Sequence, residues 1–233
     1  MQNSLRIRSF GRRGGRNRPS QIEIYQNIWP QVGLEIADGP INFEHVFKRE
    51  ALTYLEIGFG SGQSLLNLAM TKPHINFIGI ETYRPAIWAL CKGIDQFQLT
   101  NIRIYQADVL LVLEQCMPPE CLSGVAVFFP DPWPKRRHHQ RRLIQPTFIE
   151  LLIAKMKHQA WLHLATDWED YAMHMMQTLN STSALTNVIG ETRFAERSPF
   201  RPTVTKFEQR AIRDGRTILE LQFQKLDKHK SLT

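Results

Sequence analysis

The chain has 233 residues, 42% hydrophobic and 22% charged, which suits one core of ordinary domain size and excludes global disorder. The longest run free of Asp, Glu, Lys and Arg, Tyr171–Gly190, is filled with Gln, Asn, Ser, Thr and His, so no membrane span is expected, and no apolar block follows the N-terminal arginines as a signal peptide requires. The net charge of +7 is concentrated in residues 1–20, with six Arg and no acid, and in Pro134–Arg142, with Lys135, Arg136, Arg137, Arg141 and Arg142; the rest of the chain is net acidic, a pattern that suits a polyanion binder.

Residues 1–20 lack apolar periodicity and read as a disordered Arg-rich arm. A short helix is expected from Gln21 to Trp29, ended by Pro30. Apolar runs then predict buried strands at Thr53–Phe59, Asn76–Ile80, Asn101–Ala107, Gly124–Phe129 and Trp161–Thr166. Helical spacing between them predicts helices at Ser64–Met70, Pro85–Phe97, Ile144–Lys157 and Glu169–Leu179. Thr217–Gln224 alternates cleanly and reads as an antiparallel edge strand. Residues 21–233 are therefore expected to form a single α/β domain, a doubly wound, mostly parallel Rossmann-like sheet with an antiparallel C-terminal strand. Cys91, Cys116 and Cys121 are odd in number and lie among apolar residues, as reduced thiols of a cytoplasmic protein would.

Open α/β sheets bind ligands beyond the carboxyl ends of their strands. Those ends carry Glu56, Glu81, Asp108, Asp131 and Asp167, one acid per strand. Single acids there often cap helices, but five in register indicate a site. Gly58, Gly60 and Gly62 form a tight turn between the first strand and its helix, although the spacing is not that of a dinucleotide fingerprint. Glu81 is placed to hold ribose hydroxyls and Asp108 to accept from an adenine amino group, so the ligand is an adenosine compound: NAD or S-adenosylmethionine. The acid load favours S-adenosylmethionine, because it suits a sulfonium and an ammonium and repels a pyrophosphate. His138 and His139 lack metal-ligand spacing and read as exposed members of the basic run; no metal is expected.

The segment Phe129-Pro130-Asp131-Pro132-Trp133-Pro134-Lys135, followed by Arg137-His138 and Arg141-Arg142, resembles the signature of bacterial tRNA (guanine(46)-N7)-methyltransferases, class I S-adenosylmethionine-dependent enzymes. Leu5–Gly15, Leu55–Gly62, Phe77–Pro85 and Arg201–Glu208 resemble further blocks of that family, so the likeness covers nearly the whole chain. It implies that Glu56, Glu81, Asp108 and Asp131 line the S-adenosylmethionine site. It also implies that Lys135, Asp167, Thr205, Lys206, Phe207 and Glu208 contact the substrate, and that Arg137, His138, His139, Gln140, Arg141 and Arg142 lie along tRNA. Ala86, Gln140, Ala211 and Arg216 depart from the family pattern, and of these only Gln140 falls on the expected RNA surface.

Guanine N7 carries a lone pair at neutral pH, so its methylation needs positioning rather than a general base. Asp131, held between two prolines, is the expected catalytic carboxylate, as a stabiliser of positive charge, a reader of guanine N1–H and N2–H₂, or both. Trp133 either stacks on the base or packs under the loop. Asp167 either orients substrate or caps a helix. Thr205 and Glu208 have the spacing of a capping box, which is compatible with substrate contact. The arm is expected to fold over tRNA. Either a monomer or a homodimer is compatible with the sequence.

Overall fold

The computed structural model describes residues 19–201 and 203–227. The expected arm lies outside the described residues except for its last two, which open the first helix. That helix, α1 (Pro19–Val32), runs through Pro30 instead of ending there. Proline removes one backbone donor and crowds the carbonyl four residues back. So close to the C-terminus that loss touches only the last turn, which buried Ile28 and Val32 hold in place.

After β1 (Gly33–Leu34) and α2 (Phe43–Phe47), strands and helices alternate: β2 (Thr53–Ile57), α3 (Gln63–Thr71), β3 (Asn76–Ile80), α4 (Arg84–Phe97), β4 (Ile102–Tyr105), α5 (Val109–Gln115) and β5 (Leu122–Phe128). The chain continues through a 3₁₀ turn, Arg136–Arg141, to α6 (Pro146–Lys155), β6 (Met156–Thr166), α7 (Glu169–Asn180), β7 (Leu185–Asn187), α8 (Lys206–Arg213) and β8 (Leu219–Lys225). One eight-stranded sheet results, ordered β1-β4-β3-β2-β5-β6-β8-β7, with β8 antiparallel to both of its neighbours. The C-terminal strand is therefore interior to the sheet, and the three-residue β7 forms the edge expected of it.

Side chains alternate across the sheet. Leu55, Val125, Leu162 and Phe223 point to one face, where they pack with Val112 of α5, Phe148 and Leu152 of α6 and Met175 of α7. Phe77, Ile102 and Ile104 point to the other, against α1, α3 and α4. β6 begins five residues earlier than expected, because a bulge between the Leu122–Met156 and Gly124–Trp161 pairings absorbs the polar residues before Ala160, with Gln159 at φ +60°. From β2 the chain winds outward to β3 and β4, then returns to β5 on the other side of β2. The β2–β5 boundary is thus the point where the winding direction reverses, the usual position of a ligand crevice in such sheets.

Candidate active site

Parallel pairing of β2 to β6 brings the carboxyl ends of five neighbouring strands to one rim, and with them the five expected acids. Glu56 lies within β2 and is 94% buried; its Oε2 has no partner among the described residues, and burial pushes its carboxyl group up to about 8. On the same face Glu56 borders an apolar cavity of about 240 Å³ shared with Tyr54, Phe77, His163 and Phe200. Glu81 follows β3: its Oε1 accepts from the backbone N–H of Thr82 (2.7 Å) and Tyr83 (3.0 Å), and its Oε2 from that of Gly60 (3.2 Å). This carboxylate ties the second strand end to the glycine turn. Asp108 caps α5, accepting from Leu110 N–H at 2.9 Å. Asp131 is exposed in the loop after β5. Asp167 follows β6 and pairs with Arg216 at 2.8 Å, while the cap position of α7 belongs to Trp168.

The glycine turn has room for a ligand. Gly58 and Gly60 adopt φ +71° and +54°, and a Cβ built on either meets nothing within 4 Å. Gly62, at φ +73°, has another task, since an added Cβ would come within 2.9 Å of Leu90 and push α3 from α4. An open glycine turn, an orphaned buried carboxylate oxygen and further acids on the same rim fit a cationic adenosyl cofactor, and the residues present accommodate S-adenosylmethionine. Among the described residues no group of three or more His, Cys, Asp and Glu could hold a metal ion.

The loop after β5 is strained and pinned. Phe129 and Trp133 occupy the left-handed region at φ +50° and +44°, which costs about 1–3 kcal/mol each and persists only where surroundings enforce it. Phe129 N–H donates to Ala165 O at 2.7 Å, and the Arg201 guanidinium lies over its ring at 5.5 Å. Arg142 Nε donates to Pro132 O at 2.9 Å. Trp133, half-buried, has the His138 ring edge-on at 6.0 Å and the Arg141 guanidinium over its face at 5.1 Å. Lys135, Arg136, Arg137, Gln140 and Arg141 are exposed on the 3₁₀ turn and its flank, and His138 and His139 are half-buried. Desolvation, then the charges of Arg141, Arg137 and Lys135, hold the His138 imidazole below its ordinary value. Arg142 departs from this face: it is 99% buried.

The C-terminal block packs against the same loop. Thr205 caps α8 by accepting from Glu208 N–H at 3.3 Å, so half of the expected capping box forms. The Glu208 carboxylate turns inward to Arg197 and Arg201 instead of back to Thr205. Arg201 also donates through Nε to Glu220 Oε1 at 2.9 Å, and Glu220 Oε2 pairs with His163 Nε2 at 2.7 Å and accepts from Ser198 N–H at 3.1 Å. Burial alone would raise the Glu220 carboxyl; hydrogen bonds from His163 and Arg201 outweigh it and hold the group below the ordinary glutamate range. Phe207 is exposed, and the Lys206 side chain lies outside the described residues.

The sequence thus indicated the rim acids and the exposed basic turn. It missed the Arg201–Glu208–Glu220–His163 cluster, the Arg216–Asp167 pair and the inward turn of Arg142. Spacing carries no signal for any of them; only the Arg201–Glu208 block hinted at a joint role.

A family model described as a putative methyltransferase matches residues 50–221. The tRNA (guanine-N(7)-)-methyltransferase of Stutzerimonas stutzeri is 44% identical over 95% of this chain and 92% of its own length. That of Nitrosococcus oceani is 43% identical over 94% and 91%. Among solved structures, the 16S rRNA methyltransferase KamB superposes with a TM-score of 0.59 at 15% identity, covering 79% of this chain and 93% of its own. TrmN from Thermus thermophilus superposes at 0.53 and 16%, covering 79% and 47%. These two show the shared fold.

Proposed function

The chain belongs to the tRNA (guanine-N(7)-)-methyltransferase family, and from that membership we propose that it methylates N7 of the variable-loop guanine, position 46, of tRNA, with Asp131 as its catalytic carboxylate. The observation that carries this reading is the Phe129–Lys135 loop: it leaves β5 at the reversal point, beside the glycine turn of β2, and runs directly into an exposed basic turn. One segment therefore joins the cofactor rim to a polyanion-binding face.

When bound, S-adenosylmethionine supplies an electrophilic methyl group on a sulfonium. Glu56 would hold its ammonium, Glu81 its ribose and Asp108 its adenine, with Gly58, Gly60 and Gly62 shaping the turn beside it. Arg137, His138, His139, Gln140 and Arg141 lie along the phosphate backbone. Lys135, Asp167, Thr205, Lys206 and Phe207 border the target base, and Glu208, its carboxylate buried against Arg197 and Arg201, fixes the first turn of α8. Guanine N7 attacks through its own lone pair, so Asp131 removes no proton. It holds the base edge in line with the methyl group and stabilises the positive charge passing to the purine; such positioning supplies about 7–11 kcal/mol in well-oriented reactions. We place the reaction in the cytoplasm, with its tRNA substrate.

Incubating the protein with labelled S-adenosylmethionine and unmodified tRNA transcript, followed by nucleoside analysis, tests the reading. Label in N7-methylguanosine of the variable loop is expected. Label on an exocyclic amino group, or none, overturns it.

A further inference from the structure

Arg142 is the last residue of a run of basic side chains, yet it is 99% buried, and every contact it makes is internal. Its Nε donates to Pro132 O at 2.9 Å, its Nη2 donates to His139 Nε2 at 3.0 Å and pairs with Asp170, and its guanidinium lies over the Tyr171 ring at 4.8 Å. Tyr171 is fully buried and its hydroxyl oxygen accepts from Ile144 N–H, so this platform is rigid. Pro132 O belongs to the peptide that joins Pro132 to Trp133, where the backbone enters the left-handed region. Holding that carbonyl fixes the peptide plane on one side, and the flanking prolines restrict the backbone around Asp131 on the other.

We infer that Arg142 is a positioning residue for Asp131 and Trp133 and not a contact to nucleic acid. The inference rests on the methyltransferase reading above, in which that loop presents the catalytic carboxylate. A planar guanidinium is suited to the task because it can hydrogen-bond in its plane to Pro132 O and Asp170 while its face stacks on Tyr171; a lysine ammonium cannot do both. A phosphate contact would require the group to be accessible, and each exposed basic neighbour on the 3₁₀ turn already is.

The test compares Arg142→Lys and the charge-removing Arg142→Gln with Arg137→Gln by steady-state methyl transfer and by the salt dependence of tRNA binding. Displacing reacting groups by about 1 Å lowers rates by about 100-fold. Arg142→Lys is therefore expected to lower kcat by about that factor with tRNA KM within threefold, and the charge-removing Arg142→Gln is expected to leave the slope of log K against log salt unchanged. Arg137→Gln is expected to flatten that slope by about 0.7–0.9, the loss of one phosphate contact. A flattened slope for Arg142→Gln, whatever its kcat, overturns the inference, as does an unchanged kcat for Arg142→Lys. If Arg142→Lys does not fold, Asp170→Asn decides: its carboxylate is 62% exposed and its loss loosens the guanidinium without emptying the core. A several-fold fall in kcat at unchanged slope is expected, and an unchanged kcat refutes the positioning role. Wild-type protein that binds tRNA but transfers no methyl group would instead refute the methyltransferase reading.

Discussion

Replacing Arg201 with Met removes the central cation of a buried cluster while preserving most of its volume. Arg201, Glu208 and Glu220 are each about 98% buried, and the arginine donates to both acids. Breaking a buried pair by deleting one partner leaves an uncompensated charge and costs about 3–5 kcal/mol. Glu208 keeps Arg197, and Glu220 keeps His163 and Ser198 N–H, so the loss should fall at the lower end, about 3 kcal/mol. That is a large part of the 5–15 kcal/mol typical of a domain. Urea unfolding at pH 7 measures it. A depressed glutamate contributes stability that is present above its unfolded value and is lost as pH falls through the folded one. Glu220 is depressed, with Arg201 among the causes, so the gap between wild type and Arg201→Met should close as the medium is acidified below the ordinary glutamate range. A difference below about 1 kcal/mol at pH 7, or one independent of pH, would refute the assignment of Arg201 as the ion that makes this burial tolerable.

Glu56 works in the opposite sense. Its carboxyl group is raised to about 8, so without ligand it stays protonated below that pH, whereas holding a cation requires the carboxylate. S-adenosylmethionine affinity should therefore climb by up to about tenfold per pH unit below 8 and then level, and Glu56→Gln should flatten the profile in titration calorimetry. The glycines separate by role: Gly62→Ala, meeting Leu90 at 2.9 Å with φ +73°, should lower the melting temperature. Gly58→Ala, with open space at its Cβ, should bear only the left-handed backbone penalty of about 1–2 kcal/mol while losing cofactor affinity. Asp131→Asn should lower kcat with little change in tRNA KM in steady-state assays, because the lost charge matters most as the purine becomes cationic.

What the sequence disclosed follows from burial. β3 is buried throughout and β2 and β5 mostly so, so they read as largely apolar runs, and the acids at or near their ends stood out against them. Short elements left no such trace: β7 has three residues and β1 two. Val109–Gln115 is apolar enough to suit a strand or a helix equally, and α5 went unseen. Pro30 and the Gln159 bulge show neighbours overruling local preference. At the site, a charged residue in a basic run looks the same whether it faces solvent or a tyrosine ring, which concealed Arg142. The cluster around Arg201 draws on residues 163, 197, 201, 208 and 220, and only the fold brings them together.

The interior place of β8 bears on the order in which the molecule is assembled. A polypeptide emerges from the ribosome N-terminus first, and domains mature in that direction. Until Leu219–Lys225 is made, β6 stands as an open edge, a hazard for association with other nascent chains, and β7 has nothing to pair with. Glu220 arrives on that same strand, so His163 waits for its partner, and Arg201 for the second of its two, until β8 is made. The glycine turn and its acids can be in place well before then, leaving the Arg201–Glu220 cluster and its hold on Phe129 as a later event.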